Sequence, residues 1–167
     1  MTALTHAALI SALTYDATTG DFRWNVRPSP RSNVAVGDLA GCVDRRNGYV
    51  VIRLHGRLYM AHRLAWLYRT GKWPTHPIDH RDGRKGNNAF GNLRDVTNAV
   101  NQQNLRSAKR NNSAGLLGVV LSEGRKPRAY ITTPDGRRRA IGSFSTPAEA
   151  HAAYIAAKRQ HHEGNTL

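Results

Sequence analysis

The rhythm of hydrophobic positions changes several times along the chain. Leu4, Ala8, Leu9, Ala12 and Leu13 recur at helical spacing around Thr5, whose hydroxyl suits the open amides of a first turn, so residues 6–14 are predicted to form a short amphipathic helix. Residues 16–20 carry turn chemistry. Phe22, Trp24 and Val26 then alternate with polar neighbours as a half-buried strand does, until Pro28, Ser29 and Pro30 break the pattern. Nothing in these first thirty residues suggests chemistry. From 34 to 61 the period is that of strands, with a turn at 44–48, an apolar-rich strand at 49–54, a tight turn at His55-Gly56 and a returning strand at 57–61. Residues 62–69 switch to helical period through Leu64, Ala65, Leu67 and Tyr68, and Gly71 and Pro74 stop them. This hairpin and helix supply apolar backing for the segment that begins at Ile78.

The segment 78–104 reads IDHRDGRKGNNAFGNLRDVTNAVNQQN. A short strand runs into a loop rich in Gly and Asn, residues 93–96 form a second strand, and Thr97 caps a helix through Val100, Asn101, Asn104 and Leu105. Strand, loop, strand and helix bring Asp79 and Asn101 toward each other. Beyond it, Arg106, Lys109 and Arg110 lead into a polar linker at 111–113. Three short strands are predicted at 118–121, 128–133 and 138–141, joined through Glu123-Gly124 and Pro134-Asp135-Gly136 turns. The last element has explicit start signals: Thr146 as cap, Pro147 at the first helical position and Glu149 three after the cap. Its small face of Ala150, Ala153, Tyr154 and Ala157 lets it lie close against a sheet. On the middle strand of that sheet, Arg128, Tyr130 and Thr132 share one side by alternation and leave Ala129 and Ile131 to the helix.

Charge narrows the class of partner. Lys and Arg number 25 against 11 Asp and Glu, a net charge of +14, and the excess is spread through the chain rather than confined to one tail. A surplus of that kind suits a polyanion, because each phosphate neutralised releases condensed counterion. The single cysteine, Cys42, excludes an internal disulfide and a cysteine-based zinc knuckle, and is expected to be a small buried apolar residue. No apolar run approaches the roughly 18 residues that span a bilayer, and the start MTALTHAALISAL lacks a basic leader and cleavage site, so a cytoplasmic protein is expected.

The central segment carries the candidate chemistry, in the spacing D-H-x11-N-x8-N. Hydrolysing a phosphodiester needs a positioned water, a base to take its proton, and positive charge where oxygens become more negative. Asp79 offers a hard oxygen ligand and His80 a base. Neighbours on a regular strand face opposite ways, so the two serve one site only if the strand ends or bends there, which the glycine-rich loop allows. His55, His62 and His76 sit at turn and helix edges and read as solvated or bonded to backbone. Pro77 forbids the regular helix that would align His76 and His80 with Asp79 as a zinc site.

This segment resembles the HNH nuclease motif, the ββα-metal finger of phage and bacterial homing endonucleases, and the upstream MAHRLAWLY resembles the lead-in of that group; the likeness covers about residues 48–105. The resemblance implies that Asp79 ligates a divalent metal, magnesium or manganese, and that His80 activates the attacking water. It implies that Asn92 braces the loop and orients His80, that Asn101 is the second metal ligand, and that Asn104 assists at the DNA backbone. One carboxylate and one amide leave a hard cation short of its usual six or so oxygens, so the cation is expected to bind weakly until DNA completes its shell. With an unperturbed imidazole, cleavage is expected to rise through about pH 6 to 7.5.

The stretch GVVLSEGRKPRAYITTPDGRRRAIGSFSTPAEAHAAYIAA is similar to the Apetala and ethylene-response-factor DNA-binding domain, three antiparallel strands backed by one helix. The resemblance implies that the exposed sheet enters a major groove, with Arg125, Lys126, Arg128, Tyr130, Thr132, Arg137, Arg138 and Arg139 as candidate DNA contacts; Arg106, in the basic stretch before the linker, is a further candidate. Leu121 and Pro127 stand near positions where relatives often carry tryptophan, which puts the family's base-reading contacts in doubt.

The expected fold is α+β. A ββα-metal (HNH, His-Me finger) catalytic unit at 48–110 is preceded by an N-terminal helix and β region at 1–47 and followed by a DNA-binding sheet and helix at 111–167. The expected activity is that of a monomeric, metal-dependent endonuclease acting on double-stranded DNA, in a bacterial host or encoded by a phage. The competing reading is a sequence-specific DNA-binding protein or regulator with a vestigial motif. The intact set Asp79, His80, Asn92 and Asn101 argues against it.

Overall fold

The structure, a computed structural model, describes residues 4–108, 110–133 and 135–162. It mixes helices with small antiparallel sheets and divides into two compact units, Met1–Val96 and Thr97–Leu167.

The first unit opens on α1 (His6–Ala12), whose first turn is capped by the Thr5 hydroxyl accepting from the Ala8 amide. The helix is shorter than its apolar spacing predicts. Leu13 turns to extended backbone and begins β1 (Leu13–Tyr15), which pairs with β2 (Phe22–Trp24) across the 16–20 turn. Leu13 is fully buried all the same, so its burial alone does not decide between helix and strand. Val26, expected to continue the second strand's buried face, is exposed.

A three-stranded sheet comes next, ordered β3 (Cys42–Val43), β4 (Val50–Leu54), β5 (Arg57–Met60). Cys42 is exposed rather than buried, because β3 is a two-residue edge strand with neither side chain covered. The hairpin between β4 and β5 turns at His55 and Gly56 as expected. α2 (Ala61–Thr70) buries His62, Leu64, Ala65 and Leu67 and ends at Gly71. The chain then forms β6 (Ile78–His80) and, after a loop and a single 3-10 turn at Phe90–Asn92, β7 (Leu93–Asp95). These two strands pair antiparallel, Ile78 opposite Asp95, Asp79 opposite Arg94 and His80 opposite Leu93.

One core serves the whole unit: Leu9, Leu13 and Phe22 from its start pack with Ile52, Leu64, Leu67, Ile78 and Leu93. The 16–20 turn also closes onto the β6–β7 loop. The Phe90 amide donates to the Ala17 carbonyl at 2.9 Å, and the buried Tyr15 hydroxyl donates to the Asn88 carbonyl at 2.7 Å. Gly20 makes this approach possible, since a Cβ there would lie 2.3 Å from both the Ala89 nitrogen and the Asn88 carbonyl carbon.

In the second unit, α3 (Asn98–Gln103) is capped by the Thr97 hydroxyl accepting from the Val100 amide. β8 (Val119–Val120), β9 (Arg128–Thr132) and β10 (Arg138–Ser143) form an antiparallel sheet in the order β10-β9-β8, with a bulge between Ala140 and Gly142. α4 (Pro147–His161) starts at the expected cap, the Thr146 hydroxyl accepting from the Glu149 amide. It packs Ala150 and Tyr154 against Val119, Ala129 and Ile131. The stripe continues one turn further to Lys158, which is 1% exposed and donates from Nζ to the Leu105 carbonyl at 2.5 Å. The expected linker residue Lys109 and turn residue Pro134 lie outside the described residues.

The contact at Gly20 sets an expectation for stability. Gly20→Ala combines a backbone at φ +84 with the collision against residues 88 and 89, while Gly37→Ala meets a similar backbone, φ +90, with nothing within 4 Å. Urea unfolding is expected to show a loss of about 1 kcal/mol for Gly37→Ala and about 2 to 4 kcal/mol for Gly20→Ala. Equal losses would mean that the close approach contributes nothing.

Candidate active site

β6 is buried along its whole length, with Asp79 6% and His80 5% exposed. A carboxylate and an imidazole stripped of water need partners, and the register supplies the first. Arg94 stands opposite Asp79 on β7, and its Nε and Nη2 reach Asp79 Oδ2 at 2.7 and 2.6 Å. The strand ends at His80, where the Gly83 amide donates to the His80 carbonyl and opens a turn.

The His80 ring is surrounded by side chains from separate elements. Its Nε2 meets Asn88 Oδ1 at 3.3 Å. His62, from the first turn of α2, stands edge-to-face against it with ring centroids 5.2 Å apart, and Tyr49 touches both rings at 5.1 and 5.9 Å. Burial pushes the pKa of His80 below its ordinary value, although the Asn88 hydrogen bond and the carboxylates of Asp82 and Asp79 act the other way. His62 is pushed down to about 4, again chiefly by burial, and its Nδ1 is buried without a hydrogen-bond partner among the described residues. Both imidazoles are therefore neutral near neutral pH, the form in which such a ring accepts a proton.

The loop between β6 and β7 is held by Asn92. Its Oδ1 accepts from the Asp82 amide, and its Nδ2 donates to Asp82 Oδ1 and to the Asn87 carbonyl, all at 2.9 to 3.0 Å. Burial alone would raise the pKa of Asp82, but hydrogen bonds from Asn87, the Arg84 amide and Asn92 outweigh it and hold the carboxyl low. His76 is exposed and its Nδ1 lies 3.3 Å from Asp95 Oδ1.

The remaining motif residues belong to the second unit. Asn101 is half-buried on α3, Asn104 at its C-terminal end is 7% exposed, and Arg106 just beyond is exposed. On β9, Ala129 and Ile131 are buried toward α4, while Arg128 and Thr132 are exposed and Tyr130 half-buried on the other side, as alternation predicts. Arg138 pairs with Thr132 and lies over the Tyr130 ring at 4.2 Å, so it shares that open side. Arg139 pairs with Ile131 and projects from the edge on the helix side. Arg125, Lys126 and Arg137 are exposed in the connecting turns.

As a donor set, Asp79 fits a hard divalent cation. It is a buried carboxylate, Arg94 engages Oδ2, and a carboxylate has about four lone-pair positions to share. Arg94, Asn88, His62 and Tyr49 went unread as site residues in the sequence. Pairing the two predicted strands residue by residue would have set Arg94 against Asp79; the other three become neighbours of His80 only through tertiary packing.

The paired imidazoles make stability depend on acidity. Above pH 6.5 His62 is neutral in both folded and unfolded chains. Below it, the unfolded chain takes a proton that the folded chain refuses until about pH 4, so this contribution to stability is lost as pH falls through that window. The loss amounts to about 3 kcal/mol for His62, with His80 adding in the same direction. Denaturation of wild type and His62→Phe across the window is expected to show a clearly shallower decline in the variant; parallel declines would refute the assignment.

Residues 59–103 match the HNH endonuclease family. The chain is also 28% identical over 120 residues to DNA endonuclease I-HmuI of Bacillus phage SP01, covering 67% of this chain and 68% of that protein. No solved structure matches it significantly. Together the two matches make the chain an enzyme of nuclease type, with a central segment that matches the HNH endonuclease family.

Proposed function

We propose that the protein is a metal-dependent DNA endonuclease of the homing type, in which His80 is the general base and one divalent cation, magnesium or manganese, assists. The observation that carries this reading is a buried neutral imidazole directly beside a buried carboxylate, inside the segment that matches HNH endonucleases. His80 takes the proton of the attacking water. On the motif, Asp79 and Asn101 would hold the cation, which would supply positive charge to the oxygens that become more negative. Asn92 braces the loop through Asp82 and Asn87. A DNA-binding protein with a vestigial motif has no use for two buried ionisable groups furnished with partners, and this weighs against that alternative.

Residues 48–110 would be the nuclease region in the ββα-metal arrangement, and 111–167 an Apetala-like DNA-binding region. The exposed side of the sheet, with Arg128, Tyr130, Thr132 and Arg138, suits the phosphates and base edges of double-stranded DNA, and Arg125, Lys126, Arg137 and Arg106 add charge around it. Asn104 and Arg139 are weaker candidates, the first because it is buried and the second because it leaves on the helix side. Among the described residues no helix is long and apolar enough to cross a membrane. One catalytic segment per chain suits a monomer nicking one strand, in the cytoplasm of a bacterial host or carried by a phage.

A supercoiled plasmid is expected to be nicked with magnesium or manganese and left intact with chelator, and His80→Ala is expected to lower the rate by about two to four orders of magnitude. Because burial lowers the pKa of His80, the acid limb of the rate should fall below the window of about pH 6 to 7.5 set by an unperturbed imidazole. An unchanged rate in His80→Ala removes it from the reaction. Neutralising Arg137, Arg138 and Arg139 together is expected to weaken DNA binding and flatten its salt dependence. Singly, Arg138→Gln should reduce the slope by about one and Arg139→Gln by less, and equal slopes for all proteins would argue against the sheet as the DNA surface.

A further inference from the structure

Asn88 sits in the β6–β7 loop and is 3% exposed. Its side-chain amide is fixed at both ends. Nδ2 donates to the Gly86 carbonyl at 3.2 Å, and Oδ1 faces His80 Nε2 at 3.3 Å. A carbonyl can only accept, so the amide nitrogen belongs toward Gly86 and the amide oxygen toward His80. That oxygen also can only accept, so the hydrogen between the two residues belongs to Nε2. In a neutral imidazole protonated at Nε2, the lone pair is on Nδ1.

We infer that Asn88 is a positioning residue of the cleavage reaction: by taking the Nε2 hydrogen it fixes His80 in the tautomer whose Nδ1 accepts the proton of the attacking water. This rests on the reading of His80 as the base. The rest of the fold treats Asn88 as a part to be held still. Tyr15 donates to its carbonyl, Gly20 lets the 16–20 turn close over its backbone, and Phe90 ties the adjoining residues to Ala17. Burial pushes the Tyr15 phenol pKa up, which keeps its hydroxyl a donor. An asparagine serving only a solvated turn needs none of these contacts. Tyr49 and His62 pack on the ring and restrict its plane, so Asn88 has only to decide which nitrogen carries the hydrogen.

The test reads the tautomer directly. In the full-length protein with nitrogen-15 histidine, long-range proton–nitrogen correlation spectra distinguish Nδ1–H from Nε2–H rings, and His80→Gln assigns the signal. Wild type without DNA is expected to show His80 as the Nε2–H tautomer, and Asn88→Leu to show a mixture. Asn88→Asp, which keeps an acceptor at the same place, is expected to restore the Nε2–H form. Single-turnover nicking should fall about ten- to hundredfold in Asn88→Leu, with DNA affinity within about twofold of wild type, and recover largely in Asn88→Asp. An Nδ1–H ring in wild type overturns the inference whether or not the leucine variant folds, as does a leucine variant with unchanged tautomer and rate. His80→Ala with full activity sinks the base reading instead, and the spectra separate that failure from this one.

Discussion

Two ionisable residues stand side by side on a strand of three from which water is nearly excluded, and much of the first unit is arranged to make that tolerable. An unpaired buried charge costs several kcal/mol, and removing one partner of a buried ion pair typically costs about 3 to 5 kcal/mol. Asp79 and His80 meet this cost in different ways. Asp79 is answered by charge, through Arg94 in the directly opposed position of β7. His80 is answered by neutrality, since packing against Tyr49 and His62 disfavours its protonated form. One strand thus holds a carboxylate paired to a guanidinium next to an imidazole whose protonated form burial disfavours.

The N-terminal hairpin, which carries no chemistry of its own, belongs to this arrangement. Its turn docks on residues 88–90 through Tyr15, Ala17 and Gly20, and Asn88 is the residue that meets His80 Nε2. The chain of support runs from β1 through a phenol and a loop amide to an imidazole. Each link is a hydrogen bond or a close approach, and none is a long flexible side chain. Such a path limits how far the ring can drift, which would matter to the proposed role of His80 as base because proton transfer depends steeply on the position of the accepting nitrogen.

Legibility in the sequence follows the range of the interaction. Elements announced by local chemistry, the caps Thr5, Thr97 and Thr146 and the stop at Gly71, were readable because the signal lies within a few residues of the effect. The end of α1 was not, since Leu13 satisfies a helical stripe and a buried strand equally well and the pairing with Trp24 decides. Cys42 misled because its residue type is usually buried, whereas its strand is a short edge. Lys158 was passed over because a lysine reads as surface, yet it fills the position four after Tyr154 and reaches a carbonyl 53 residues away. In the candidate site, Asp79, His80 and Asn92 stand out in the sequence by their spacing, while Asn88, Tyr49 and His62 come beside His80 only when distant segments meet. Asn88 was hidden further by its company, because asparagines in a glycine-rich loop are ordinarily explained by turns.

Arg94 also bears on the cation. With the guanidinium on Oδ2, the Asp79 carboxylate is already close to electrically balanced before any metal arrives. A divalent ion joining it would approach a fixed positive charge and gain little net attraction, in a protein whose overall charge is +14. A phosphodiester changes the sign of that balance, for it brings negative charge and oxygen ligands to the same place. If Asp79 holds the proposed cation, the pairing that makes it tolerable in the fold would disfavour an idle ion and favour one that comes with substrate. The weak affinity expected from a single carboxylate and an amide would then have a second and independent cause in the partner that holds the carboxylate in place.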